Sequence, residues 1–268
     1  MMRSTVAGLV AVAAVTVTDA SFAAKTRDYR LEAEMRFLGM NVGRVELEAA
    51  ANGDTRDQRL AMATTGLVER LTGFKGELTA RSRTGEGAPE TLDFRSFTET
   101  DRATREVELR YDGAGRVVEV ATFKRGEPRG TEVPEAMRDG TMDPLTALAA
   151  VRGWLVEVRD DPPAETTLAI FDGRRRYDLH VSLVDRRTAE FASGPTPILE
   201  VRLESEPLAG FDDDSDGRRP ITVLMSDDDV VVPLVMRTEV MGDLEAALYT
   251  KRVCAAPAAE PACREYRY

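Results

Sequence analysis

Hydrophobic and polar residues alternate along most of this chain, and this period of two predicts β-strands that each bury one face. In residues 29–38 (YRLEAEMRFL) every second side chain is apolar, and charged residues such as Glu32 take the opposite face. After a turn at 39–43 the alternation resumes at Val45, which predicts a β-hairpin. Further strands are predicted at 58–65, 67–72, 76–84, 90–98, 105–111, 116–123, 165–171, 175–185, 198–205, 221–226, 230–240 and 244–253.

One segment departs from the alternation and predicts a helix near 143–153. Asp143 is a residue type that caps free N–H groups at the start of a helix, and Pro144 suits the first helical position. Gly153 is predicted to end the helix in a left-handed turn. Trp154, the one tryptophan of the chain, is predicted to fold back and pack on the last turn.

Together these elements predict an all-β fold with one helix. The expected architecture is a large, strongly curved antiparallel sheet, of β-roll or open barrel-like type, packed with the single helix near 143–153. Pro233, inside the predicted strand 230–240, indicates an edge strand or a bulge, because proline lacks the N–H group that a central strand needs. A chain of 268 residues can bury such a core without metals or many disulfides.

Four stretches of the chain resemble an exported bacterial family known as domain of unknown function 3108. They are DPLTALAAVR (143–152), FDGRRRYDLHV (171–181), ESEPLAGF (204–211) and MSDDDVVVPLVMRTEV (225–240). The likeness extends from about residue 29 to about residue 252, and FDGRRRYDL is its most specific part. The resemblance implies a periplasmic all-β protein with a curled sheet, and it implies no catalytic residues.

Residues 1–23 have the pattern of a secretory signal peptide. Arg3 precedes an uncharged apolar stretch at 6–17, and small residues place the expected cleavage after Ala23. A membrane anchor is the alternative, but twelve apolar residues fall short of the roughly 20 needed to span a bilayer. We therefore expect a periplasmic protein with a single domain at 24–253 and a tail at 254–268.

The formal net charge of −11 predicts no binding to nucleic acid, and binding to anionic lipid would need a local basic patch. The longest basic run is only the three arginines at 174–176. In an oxidising compartment Cys254 and Cys263 predict a disulfide that closes the tail. A redox-active or metal-binding pair is the alternative, but neither a C-x-x-C motif nor a nearby histidine supports it.

The stretch FDDDSDGRRP (211–220) raises the question of a metal site. Asp212, Asp214 and Asp216 alternate before a glycine, as in the opening of an EF-hand calcium loop. However, the twelfth position is Val223 instead of a carboxylate, and the flanking segments are predicted strands. An acidic turn is therefore predicted, with calcium binding as the alternative.

The turn before the strand 175–185 is the strongest polar candidate. Its residues are Asp172, Gly173, Arg174, Arg175, Arg176 and Tyr177. Adjacent arginines can hold a phosphate or carboxylate, yet Asp-Gly is also a common hairpin turn. His180, the one histidine, is predicted on the polar face of the same strand.

No nucleotide-binding motif or cofactor site is predicted. The leading hypothesis is a non-catalytic binder of a hydrophobic or envelope-derived, lipid-like ligand, or of an envelope protein. Residues expected to line a cavity on the concave side of the sheet are Met35, Phe37, Phe94, Tyr111 and Leu179, next to Tyr177. The alternatives are a periplasmic hydrolase that uses carboxylates with His180 or the arginine turn, and a structural partner in an envelope complex.

Overall fold

The computed structural model describes residues 27–85, 87–112, 114–211, 220–241, 244–256 and 262–268. The predicted signal peptide at 1–23 lies outside these ranges, and it stays a prediction. The acidic turn with Asp212, Asp214 and Asp216 also lies outside the described residues, and so does its alternative as a calcium site.

The described residues form fifteen β-strands, two α-helices and one turn of 3-10 helix. The strands are β1 (Asp28–Phe37), β2 (Met40–Asn52), β3 (Thr55–Thr64), β4 (Lys75–Arg83), β5 (Glu90–Thr100), β6 (Ala103–Tyr111), β7 (Val117–Lys124), β8 (Glu127–Arg129), β9 (Ala164–Phe171), β10 (Arg176–Phe191), β11 (Gly194–Ala209), β12 (Ile221–Ser226), β13 (Pro233–Met241), β14 (Leu244–Ala256) and β15 (Ala262–Glu265). The helices are α1 (Gly66–Thr72) and α2 (Pro144–Val158), and the 3-10 turn is Glu135–Met137.

All fifteen strands belong to one antiparallel sheet. Its order is β8-β7-β6-β5-β4-β3-β2-β1-β14-β13-β12-β11-β10-β9, with β15 paired to β14. The pairing of β1 with β14 joins two halves, one formed before α2 and one formed after it. The predicted class, an all-β fold built on a large curved antiparallel sheet with a packed helix, is confirmed.

The sheet curls so that strands far apart in its order come into contact. The β9–β10 turn reaches β6, because a methyl group added to Gly173 would lie 2.2 Å from Cγ1 of Val107. Phe171 of β9 and Leu109 of β6 belong to one cluster of buried side chains. The two ends of the strand order are β8 and β9, and the sheet is open between them.

The prediction of a strand at 67–72 is wrong, because these residues lie in helix α1. Leu67 and Leu71 are four residues apart, a spacing that places them on one face of a helix. Gly73 ends α1 in a left-handed conformation (φ +54°), and its N–H group donates to the carbonyl of Glu69 at 2.8 Å. The chain therefore has a second α-helix besides the single one predicted.

α2 lies inside the curl and is buried along most of its length. Asp143 caps it as predicted, since its Oδ1 accepts hydrogen bonds from the N–H groups of Leu145 (2.8 Å) and Thr146 (3.1 Å). The buried residues of α2 are Leu145, Thr146, Ala147, Ala149, Ala150, Val151, Arg152, Gly153, Trp154 and Leu155. They cover every side of the helix, as expected for a helix enclosed by a sheet.

The prediction that Gly153 ends this helix is wrong, because α2 continues to Val158. A glycine in a helix interior costs about 1 kcal/mol relative to alanine. Burial of Trp154 and Leu155 in the following turn offsets that cost, since each large apolar side chain contributes about 2 kcal/mol or more when fully buried. Both residues pack in a core cluster with Val151.

Pro233 lies at a bulge, one of its two predicted settings. The register between β12 and β13 shifts between Leu224 and Met225, where Met225 is opposite Pro233. The alternative of an edge strand is wrong, because β13 lies between β12 and β14. The bulge allows a proline in an interior strand because it interrupts the ladder of hydrogen bonds.

Arg152 is the largest fully buried side chain of the described residues. Its Nη2 donates to the carbonyls of Val230 (2.7 Å) and Arg27 (3.1 Å), and its Nε donates to the carbonyl of Val231 (3.0 Å). The guanidinium carbon also lies 4.3 Å from the centroid of the Tyr29 ring. Burial lowers the pKa of this guanidinium to about 10, so it stays charged at neutral pH.

The loop between β12 and β13 presents two of these carbonyls. Oδ1 of Asp228 accepts hydrogen bonds from the N–H groups of Val230 and Val231, both at 3.0 Å, and from Oγ of Ser226 at 2.9 Å. Val231 has φ +48°, a left-handed conformation that β-branched residues rarely adopt. The Asp228 carboxylate therefore holds a strained loop in the shape that receives Arg152.

The C-terminal segment adds to the sheet. β15 pairs with β14 with Cys254 opposite Cys263, and the predicted disulfide between them is present. Tyr266, directly after β15, is buried, and its N–H group donates to the carbonyl of Lys251 at 2.9 Å. The division into a domain at 24–253 and a tail at 254–268 stays a prediction.

We expect the substitution Arg152→Met to lower the free energy of unfolding by about 3 kcal/mol, because three carbonyl oxygens, two of them buried, would lose their donor. Chemical denaturation followed by circular dichroism measures the change. The matched control is Arg95→Met, since Arg95 forms ion pairs with Glu106 and Glu108 on the exposed face of β5. Exposed pairs contribute less than about 1 kcal/mol. Equal losses in both variants would contradict a structural role for the buried guanidinium.

Candidate binding pocket

Three aromatic rings from distant parts of the chain meet against β13 and β14. Phe191 ends β10, Tyr249 lies in β14, and Tyr268 follows β15. The centroid of the Tyr268 ring lies 4.9 Å from that of Phe191 and 5.1 Å from that of Tyr249. The Tyr268 hydroxyl donates to the carbonyl of Leu234 at 2.9 Å, and burial raises the pKa of this phenol, which keeps it protonated at neutral pH.

Three arginines lie around these rings, and Glu190 is the one carboxylate among the lining residues. The guanidinium carbon of Arg36 lies 5.0 Å from the centroid of the Tyr249 ring, and its Nη2 pairs with Glu34 at 3.2 Å. Arg187 of β10 and Arg237 of β13 complete the basic lining. The pocket opens to solvent and has a volume of about 390 Å³.

Two of the arginines lie beside carboxylates and keep N–H donors that those carboxylates do not use. Arg187 donates to Glu200 through Nε (3.0 Å) and Nη2 (2.8 Å), which leaves Nη1 outside that pair. Nε of Arg237 lies 3.9 Å from Glu245, beyond hydrogen-bond distance. Because a guanidinium carries five N–H donors, both arginines can also bind an acidic group in the pocket.

The pocket suits a small molecule with an anionic group beside an apolar or ring-shaped body. The guanidinium groups match a carboxylate, phosphate or sulfate, and the three rings offer flat apolar surfaces. Its volume lies at the lower end of the range of about 300–1,000 Å³ that is usual for ligand sites. The sequence pattern places Arg36 on the polar face of β1, but no local signal indicates that Phe191 and Tyr268 reach it.

The predicted polar turn, Asp172 to Tyr177, packs against β6 and the end of β11. Oδ1 of Asp172 accepts hydrogen bonds from the N–H groups of Arg174 (2.8 Å) and Arg175 (2.7 Å), which shapes the turn. Arg176 pairs with Asp178 through Nη1 at 2.7 Å. An anion-binding role for this turn stays a prediction.

The end of β11 packs directly on this turn. A methyl group added to Gly210 (φ +77°) would lie 2.0 Å from the carbonyl oxygen of Arg174. The ring of Phe211 meets that of Tyr177 edge-on at 6.3 Å between centroids, and the guanidinium carbon of Arg175 lies 5.2 Å from the Phe211 centroid. Two of the stretches that resemble the family, FDGRRRYDLHV and ESEPLAGF, therefore contact each other.

The five residues predicted to line a cavity lie mostly in the core. Phe94 and Tyr111 are buried in the larger cluster, and Met35 packs against it. Leu179 packs against the cluster that contains the second half of α2, and Phe37 is partly buried at the end of β1. α2 occupies the curl next to these clusters, and a cavity-lining role for the five residues stays a prediction.

His180 lies on the exposed face of β10, as the alternation predicts. Its Nδ1 lies 3.0 Å from Oγ1 of Thr167 in β9, and its Nε2 lies 3.1 Å from Oε2 of Glu206 in β11. The structure therefore aligns a hydroxyl, an imidazole and a carboxylate across three neighbouring strands. All three side chains of this row are exposed to solvent.

A groove of about 640 Å³ runs across the charged face of β2 to β7. One row of this face alternates in sign from strand to strand, in the order Asp57, Arg81, Asp93, Arg110 and Glu119. Nε of Arg81 lies 3.0 Å from Asp57, and Arg110 pairs with Glu119. Such a balanced ladder satisfies its own charges, which indicates a solvated face more than a site for a charged ligand.

Among the described residues, no three His, Cys, Asp or Glu side chains are grouped so as to hold a metal ion. Neither helix of the described chain is long and apolar enough to cross a bilayer.

Comparisons with known proteins place the chain in a family and support the fold. The model of a family described as protein of unknown function (DUF3108) matches residues 28–248. A β-barrel-like protein of domain of unknown function DUF1849 from Brucella abortus is 11% identical, with a TM-score of 0.52, covering 87% of this chain and 100% of that one. A "putative lipoprotein" from Parabacteroides distasonis is 9% identical, with a TM-score of 0.37 and coverage of 87% and 98%. No curated protein matches the chain.

The packing of the arginine turn can be tested with two glycines of similar backbone conformation. We expect Gly210→Ala to cost roughly 2–4 kcal/mol of unfolding free energy, because the new methyl group overlaps a backbone oxygen as well as favouring another conformation. Gly115 has φ +72° and open space around it, so Gly115→Ala should cost only about 1 kcal/mol. Thermal and chemical denaturation give both values. If the two variants lose the same amount, the turn does not pack on Gly210.

Proposed function

We propose that this chain, which belongs to the DUF3108 family, is an exported periplasmic protein that binds an envelope-derived ligand without chemical turnover. The binding site is the pocket formed by Arg36, Arg187 and Arg237 with the three aromatic rings. Its ligand carries an anionic group beside an apolar or ring-shaped body, as a lipid-like molecule does. A protein partner that presents the same chemistry would occupy the same pocket.

The convergence of three arginines on three rings is the observation that carries this proposal. The lining carries three arginines and one carboxylate, Glu190, in a chain of net charge −11, so its guanidinium groups offer hydrogen-bond donors to an anion. The rings of Phe191, Tyr249 and Tyr268 come from β10, β14 and the segment after β15, so the fold brings them together from distant positions.

The lining of the pocket supports binding more than catalysis. Besides the arginines and rings it consists of Ala189, Ala192, Leu224 and one carboxylate, Glu190. General acid–base chemistry needs a proton-transfer group beside a nucleophile or an activated water. A pocket of guanidinium groups and rings instead holds and orients an anion. The proposed periplasmic location of the protein rests on the resemblance to an exported family and on the pattern of residues 1–23.

The pocket can be tested with 1-anilinonaphthalene-8-sulfonate, an anionic aromatic probe whose fluorescence rises on binding. We expect the double variant Arg187→Gln/Arg237→Gln to weaken binding at least about tenfold, because charge-assisted hydrogen bonds contribute about 1.5–3 kcal/mol. Fluorescence titration measures the dissociation constant. The control Arg202→Gln removes an arginine of β11 that pairs with Glu204 outside the pocket and should leave binding unchanged.

The natural ligand can be sought in the same variants. Protein purified from the periplasm without detergent should show a stoichiometric adduct in native mass spectra that denaturing spectra lack, and the double variant should lose it. An apo mass together with equal probe binding by all variants would overturn the proposal. That result would leave the structural-partner hypothesis, in which the pocket holds nothing.

A hydrolase is the second candidate function, and the row of Thr167, His180 and Glu206 is the observation that favours it. A carboxylate that orients an imidazole beside a hydroxyl is the arrangement of nucleophilic hydrolases. Against it, the row lies on an exposed strand face, whereas efficient catalysis uses donors preorganised in a site that excludes water.

The two functions predict different results for one substitution. Under the binding proposal, His180→Ala leaves probe binding unchanged, and Thr167→Val leaves the rate of p-nitrophenyl acetate hydrolysis unchanged. Under the hydrolase alternative, the wild-type protein accelerates hydrolysis, and both His180→Ala and Thr167→Val remove that acceleration. Release of p-nitrophenolate, followed by absorbance, decides between them.

A further inference from the structure

Residues 262–268, here called the C-terminal segment, supply one wall of the arginine-lined pocket. The segment begins with β15, all four residues of which are exposed. It continues to Tyr268, the one residue of the pocket lining that lies beyond β14 in sequence. The pocket therefore has its described shape only while this segment stays on the sheet.

Few side chains of the C-terminal segment are buried. Tyr266 lies in the core and Tyr268 is half-buried, whereas the other residues of the segment are exposed. The N–H group of Tyr266 donates to the carbonyl of Lys251 at 2.9 Å, and the carbonyl of Arg267 accepts from the N–H group of Ser193 at 3.3 Å. A short edge strand whose own side chains lie in solvent opens at low free energy, because little apolar surface is lost from the core when it leaves.

The disulfide between Cys254 and Cys263 ties this segment to β14 covalently. The two cysteines are directly opposite each other in the pairing of β14 with β15. Arg264, next to the bond, adds an ion pair with Asp228 at 3.3 Å, but such pairs contribute little where solvent reaches them. A disulfide stabilises a closed arrangement by limiting the freedom that its two ends gain on separation. This bond therefore keeps Tyr268 near the pocket.

Two features make the disulfide open to reduction. Cys263 is exposed to solvent, so a thiolate can approach the bond. Nη2 of Arg252 lies 3.4 Å from Sγ of Cys263. A guanidinium group beside a sulfur stabilises the thiolate that forms when the bond breaks, and exposed disulfides are reduced more readily than buried ones.

We propose that the disulfide between Cys254 and Cys263 is a redox switch for the arginine-lined pocket, an inference that rests on the binding function proposed above. A dithiol reductant attacks one sulfur of the pair, forms a mixed disulfide and then closes its own disulfide with its second thiol. Two electrons and two protons pass to the pair, which becomes two cysteine thiols. The C-terminal segment then leaves the sheet, and the Tyr268 ring leaves the pocket with it.

The position of Tyr268 explains why its departure weakens binding. It is the middle of the three rings, since its centroid lies 4.9 Å from that of Phe191 and 5.1 Å from that of Tyr249. Without it the ligand loses an aromatic contact, and water reaches the arginines of the pocket more freely. Attraction between an anion and a guanidinium group falls as water surrounds them. In this role the cysteine pair is the target of a reductant and not a redox catalyst, so it needs no C-x-x-C motif.

Fluorescence titration with 1-anilinonaphthalene-8-sulfonate tests the switch on oxidised protein and on protein treated with dithiothreitol. We expect reduction to raise the dissociation constant at least about fivefold, because an aromatic contact and the enclosure of the arginines are lost. The variant Cys254→Ser/Cys263→Ser should bind as weakly as the reduced protein, with or without dithiothreitol. Tyr268→Ala should also bind weakly, and reduction should change its affinity little. An unchanged circular dichroism spectrum shows that reduction acts locally.

Hydrogen exchange measured by nuclear magnetic resonance reports the position of the C-terminal segment without any ligand. On reduction the N–H groups of Tyr266 and Ser193 should exchange at least about tenfold faster, because each loses its acceptor when the segment leaves the sheet. The control is the N–H group of Thr65, which donates to the carbonyl of Val42 at 2.9 Å. Its exchange should be equal in both redox states.

Three results would overturn the switch and leave the binding proposal intact. The first is a disulfide that dithiothreitol reduces only after the protein unfolds. The second is unchanged exchange at Tyr266 and Ser193 after complete reduction. The third is equal probe affinity in both redox states of a protein whose variant Arg187→Gln/Arg237→Gln binds weakly. By contrast, equal probe binding by the oxidised wild type and that variant would refute the pocket itself, and the switch with it.

Discussion

The fold depends on one buried charge, the guanidinium of Arg152. Removing an arginine from water is costly, and the cost is met only where carbonyl oxygens and a ring replace the lost hydration. Arg152 obtains these from points 125, 79 and 78 residues away in sequence, at Arg27, Val231 and Val230. One side chain of α2 thereby fixes the helix to the start of β1 and to the β12–β13 loop. Since β1 and β14 join the two halves of the sheet, this contact secures the helix where the halves meet.

The four stretches that resemble the DUF3108 family share a structural role, because each of them contacts one of the others. DPLTALAAVR (143–152) contacts MSDDDVVVPLVMRTEV (225–240) through Arg152, and FDGRRRYDLHV (171–181) contacts ESEPLAGF (204–211) through Gly210. Both contacts stabilise the curled sheet, and neither presents a reactive group. The arginine-lined pocket lies mostly outside these stretches, since Arg237 is the one residue of its lining that belongs to them.

Much of the fold could be predicted because its signals are local. Alternation identifies most strands, and Asp143 with Pro144 identifies the start of α2. The end of α2 could not be read from Gly153, because the burial that outweighs a helical glycine depends on tertiary packing. The pocket could not be predicted either, since Phe191 and Tyr268 approach Tyr249 only after β10 and the C-terminal segment pack onto the sheet. Arg152 lies in the segment that the sequence pattern gives to the helix, but its carbonyl partners lie before β1 and in the distant β12–β13 loop, where no local signal identifies them.

A crystal structure of the protein grown with 1-anilinonaphthalene-8-sulfonate tests the central claim most directly, that this protein binds an anionic, apolar molecule in the arginine-lined pocket. We predict that the sulfonate contacts Arg187 and Arg237 while the rings lie against Tyr249 and Tyr268. Electron density for the probe elsewhere, with ordered solvent alone between these arginines, would contradict the claim.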